Sequence, residues 1–96
     1  MTDVNDTPLQ RLAVWRRQVE VLRKAIYDMS AEAYDLHEQA FRHEREAMCL
    51  PAWKSQPVSD QAAIARGAAY GCHLEIVRLN ERLTRLLAAE RETSAT

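Results

Sequence analysis

Glycine is nearly absent from this chain: Gly67 and Gly71 are the only two in 96 residues. That scarcity excludes the glycine-rich loops that cradle phosphates, and no G-x-S-x-G nucleophile elbow is present either. Proline occurs three times, as Pro8, Pro51 and Pro57, so long stretches run without a breaker. Two cysteines, Cys49 and Cys72, are too few for a disulfide scaffold and suit a reducing compartment. Phenylalanine occurs only once and isoleucine only three times. No apolar run approaches the ~18 residues of a membrane span, and the polar start MTDVNDTP does not read as a signal peptide. A net charge of −1 gives no overall pull toward nucleic acid or an anionic membrane. These absences predict one cytoplasmic, non-membrane domain.

What is present is alanine, arginine and helical periodicity. Fifteen alanines supply much of the 47% apolar content. Thr7, Pro8 and Gln10 form the signature of a capped helix start, with proline at the first helical position. From there Leu12, Trp15, Val19, Leu22, Ile26, Met29, Ala33, Leu36, Ala40, His43, Ala47 and Leu50 follow strict 3,4 spacing. This register predicts one helix over about 8–50, either continuous or broken near Ser30, where "MSAEAY" can cap a new helix. Charge is split along it: residues 8–24 carry five bases against one acid, residues 28–46 six acids against two bases.

"LPAWKSQPVS" predicts a loop over 51–59, and Ser59 an N-cap for a second helix over 60–92. Its seam is Ala65, Ala69, Cys72, Ile76, Leu79, Leu83 and Leu86. Residues 1–6 and 93–96 are expected to be disordered, leaving a single helical domain over 7–92. The fold class is all-α, two or three long amphipathic helices in a helical-bundle homodimer.

The stretch "ARGAAYGCHLE" collects the residues that chemistry would want. On a helical wheel, however, Cys72 falls on the seam while His73 points about 100° away, so the two do not form a dyad. Cys72 reads as a small core residue. Gly67 and Gly71 share a face with Ile64, and residues 62–77 are small or apolar nearly all round apart from Arg66, His73 and Glu75. Glycine inside a helix costs about 1 kcal/mol relative to alanine, so a close helix crossing is the expected return. Ile64, Gly67, Ala68, Gly71, Cys72 and Leu74 are therefore assigned to close helix packing or a dimer contact. Two helices of this length have too little partner surface within one chain, which predicts the homodimer.

No metal or other cofactor is expected. His37 and His43 are six residues apart rather than four, and no glutamate stands three before any histidine. The basic strip Arg16, Arg17, Arg23 and Lys24 and the i,i+7 stripe Tyr27, Tyr34, Phe41 and Met48 form the candidate partner-binding surface. As a whole, the sequence predicts no catalytic residue. It predicts a small non-enzymatic regulatory protein that binds a protein partner, for example masking or inhibiting a transcription regulator or an enzyme. A nucleic acid held on the basic strip is the lesser expectation.

One family likeness bears on the architecture. "LRKAI", Leu22 to Ile26, precedes the Pro57-Val58 and Asp60 of "KSQPVSD" by a span that resembles the all-helical chorismate mutases. The resemblance covers about forty residues and implies a dimer of long helices. It also implies a cage of cationic side chains, of which Arg23 is present, together with Asp60. The remaining positions hold Ala40, Pro51, Ala63 and Ile64, so an enzyme of this kind would need a rearranged site.

Overall fold

Two helices make up the fold: α1, Pro8–Met48, and α2, Ala52–Ala95, joined by a turn at residues 49–51. The computed structural model describes the backbone of residues 7–95 and side chains to residue 90. The expected disorder of residues 1–6 lies outside the described residues, as does Thr96.

α1 starts as its sequence requires. The Thr7 side chain accepts from the Gln10 N–H at 3.1 Å, and Gln10 Oε1 accepts from the Thr7 N–H at 2.8 Å. The helix then runs unbroken through Ser30, whose hydroxyl donates back to the Ile26 carbonyl at 2.7 Å instead of capping a new helix. It ends where the Cys49 N–H bonds the Glu46 carbonyl at 3.0 Å and the Leu50 N–H the Ala47 carbonyl at 3.2 Å.

The loop expected over 51–59 is corrected to helix. Lys54 and Ser55 both donate to the Pro51 carbonyl at 2.9 Å, so α2 begins directly after Pro51, and Ser59 lies inside it. Pro57 sits in the second turn of α2, where its ring forgoes one hydrogen bond near the exposed end of the helix. The disordered tail expected over 93–96 is likewise corrected, because α2 continues to Ala95.

The helices lie antiparallel as a hairpin. His37 meets His73, and Glu44 meets Arg66, one heptad on and in the opposite order, which fixes the register. At the open end the Trp15 indole N–H donates to the Leu86 carbonyl at 3.0 Å. The seam is graded along its length. Near the turn it is alanine on alanine, with Ala40 and Ala69 at 0% exposure and Ala33, Ala62 and Ala65 buried around them. Toward the open end Val19, Leu22 and Leu79 take over. Alanine brings the axes close but removes little apolar area from water, so this core stabilises weakly for its length.

The result is a rod of 70 × 25 × 16 Å with a radius of gyration of 21.4 Å. A compact domain of this length has a radius of about 12.5 Å. Its accessible surface is 7716 Å², against about 5,600 Å² for a compact monomer of the same mass. Roughly 2,000 Å² per chain is thus exposed beyond what a globular protein leaves to water.

Candidate interaction surface

The exposed apolar residues are not scattered. On α1, Tyr27, Tyr34, Phe41 and Met48 form a line one side of the seam, and all are exposed, Phe41 least at 53%. On α2, Tyr70 and Val77 flank His73 at −3 and +4, as Tyr34 and Phe41 flank His37. Because the two histidines touch, these four side chains lie on one broad face of the hairpin, on either side of the His37–His73 pair. Ile64 and Leu74 continue the apolar surface around the back of α2, away from α1, at 66% and 46% exposure.

The close packing expected of Ile64, Gly67, Ala68, Gly71, Cys72 and Leu74 is met within one chain only at Cys72. Cys72 is buried on the seam with Ala65 and Ala69 as expected. Ile64, Gly67, Ala68, Gly71 and Leu74 are all exposed, and a Cβ added to either glycine would meet nothing within 4 Å. α1 occupies only the alanine side of α2, so whatever close crossing the glycines serve is not with α1.

The polar groups of the aromatic face are ordered in layers. Arg66 clasps Glu44 through both guanidinium ends, with Nε to Oε2 at 2.9 Å. Hydrogen bonding from Arg66 holds the Glu44 carboxyl below its usual range, and the same bond raises Arg66. One heptad toward the open end, the Nε2 atoms of His37 and His73 stand 3.1 Å apart, their ring centroids 5.3 Å apart. The pairing joins residues 36 apart in the chain; its trace in the sequence is that both flank a heptad seam on the same side. His43 sits half-buried on the seam edge, with Nδ1 4.0 Å from Glu46 Oε2.

The basic strip Arg16, Arg17, Arg23 and Lys24 is exposed toward the open end, with Lys24 paired to Asp28 at 3.1 Å. Arg17 also lines a groove with Gln18, Val21, Leu22, Arg82 and Leu86. Among the described residues no cluster of three or more His, Cys, Asp or Glu side chains could hold a metal ion, and no helix is long and apolar enough to cross a membrane.

The residues that carry the chorismate-mutase likeness do not assemble. Pro57, Val58 and Asp60 lie within α2 instead of forming a turn. Arg23 follows Leu22, which lines a groove with Arg82, some 22 residues or ~33 Å of helix from Asp60. Ala40, where the cage needs a cation, is sealed in the alanine core. No protein-family model, curated protein or solved structure matches the chain.

Proposed function

We propose that this chain is a non-enzymatic helical-hairpin protein that works by binding protein surfaces, first a second copy of itself and then a partner whose activity it regulates. The observation that carries this reading is the continuous, exposed apolar surface running from Phe41 and Tyr34 across the histidine pair to Tyr70, Val77, Leu74 and Ile64. Exposed patches of this kind mark interaction sites, and tyrosine, methionine and arginine are the side chains such sites favour. The area exposed beyond that of a compact monomer exceeds the roughly 800 Å² per partner of a standard interface, which leaves room for two occupants.

The test is affinity capture with the wild-type chain and with the Tyr34→Ser/Phe41→Ser variant, whose helicity is checked by circular dichroism. Both residues are exposed, so the variant keeps the hairpin. One protein retained in near-stoichiometric amount by the wild type, resistant to nuclease and lost with the variant, supports the reading. Retention abolished by nuclease assigns the function to the basic strip instead, and retention unchanged in the variant removes the aromatic face from the account.

A further inference from the structure

The back of α2 carries a pattern that reads the same in both directions. Asp60, Ile64, Gly67, Gly71, Leu74 and Arg78 are spaced 4, 3, 4, 3, 4, a heptad seam centred between the two glycines. All six are exposed, opposite the alanine side that packs on α1. We propose that a second copy of the chain docks here, α2 against α2 and antiparallel, about a twofold axis beside Gly67 and Gly71. This deepens the homodimer part of the function proposed above and rests on it.

The axis gives every member of the seam a suitable mate. Gly67 meets Gly71 of the second copy, and open space above both glycines lets the backbones approach closely. Ile64 meets Leu74, two large apolar side chains left exposed in the single chain. Asp60 meets Arg78, opposite charges at each end of the contact. The flanks match too: Tyr70 lies by its own copy, Ala63 by Val77, and Ala68 by its own copy on the other side. Glycine at two helix-interior positions disfavours the helix, which close contact between backbones offsets.

Sedimentation equilibrium of the untagged chain and three variants tests this. Wild type is expected at two chains, and Ile64→Glu at one with helicity retained. Asp60→Arg and Arg78→Asp each place like charges at both ends of the seam and associate severalfold more weakly. Mixed together they restore both opposite-charge pairs, so the mixture regains wild-type association. A two-chain wild type unaffected by Ile64→Glu, or charge variants that do not rescue each other, overturns the seam while leaving a homodimer through another face. A wild type of one chain at all concentrations overturns the homodimer itself.

Discussion

Replacing Gly71 with leucine separates events within the hairpin from events between chains. Within the chain nothing opposes the change, because a Cβ at Gly71 has open space for 4 Å around it. Leucine is a better helix former than glycine by about 0.8 kcal/mol. Since 1 kcal/mol moves the melting point of a chain this size by about 4–8 °C, the isolated hairpin should gain some 3–6 °C. Between chains the sign reverses. At a Gly67–Gly71 crossing each leucine must be fitted between backbones, an overpacking of about 1–3 kcal/mol per site. Two symmetry-related sites then weaken association by about 2–6 kcal/mol, or roughly 30-fold to 10⁴-fold in dissociation constant. The assay is thermal unfolding over a hundredfold range of concentration, paired with mass by light scattering. Wild type should melt at higher temperature as concentration rises, because association adds to stability. Gly71→Leu should show one chain and a concentration-independent melt, above that of dilute wild type. A variant with the wild-type mass and the full propensity gain at every concentration would show that the glycine face is free, and the dimer seam would fall.

Three further outcomes follow from the hairpin's own packing. Leu79→Ala, at a position 7% exposed, should cost about 2–5 kcal/mol in denaturant unfolding, a large share of what an alanine-rich seam supplies; a cost near zero would contradict the seam's register. Glu44→Gln should cost stability only where Glu44 is ionised. Its folded pKa lies below the unfolded value, so its contribution is present above about pH 4.5 and lost as pH falls through the folded pKa. Melts of wild type and Glu44→Gln should therefore converge in acid, and a gap that widens on acidification would contradict the Arg66 contact. Cys49 is exposed and Cys72 buried, so a thiol reagent should label one residue quickly and the second only at the rate of opening; two equally fast thiols would place Cys72 outside the seam.

The helices were legible because their spacing is repetitive. The 3,4 register from Leu12 to Ala47 outweighs Ser30, which inside a helix simply bonds the Ile26 carbonyl. The capping box at Thr7 and Gln10 formed as its residues imply. Pro57 misled because proline marks a break in a helix interior, whereas here it falls in the second turn of α2, where one lost hydrogen bond is tolerated. Cys72 was assigned to the core by its wheel position alone, and is buried. The glycine pair reads as a packing feature, but nothing within the chain covers it, because a wheel shows which residues share a face and not which helix meets it. The His37–His73 contact was out of reach for the same reason. It depends on the antiparallel register, which the Glu44–Arg66 pair fixes only once the hairpin is closed.

The account stands on α2 being an inner helix, packed on α1 by its alanines and on a second chain by its glycines. Sedimentation equilibrium of the wild-type, untagged chain tests this most directly. The predicted result is a mass of two chains that falls toward one on dilution. A single-chain mass throughout the accessible concentration range would contradict it.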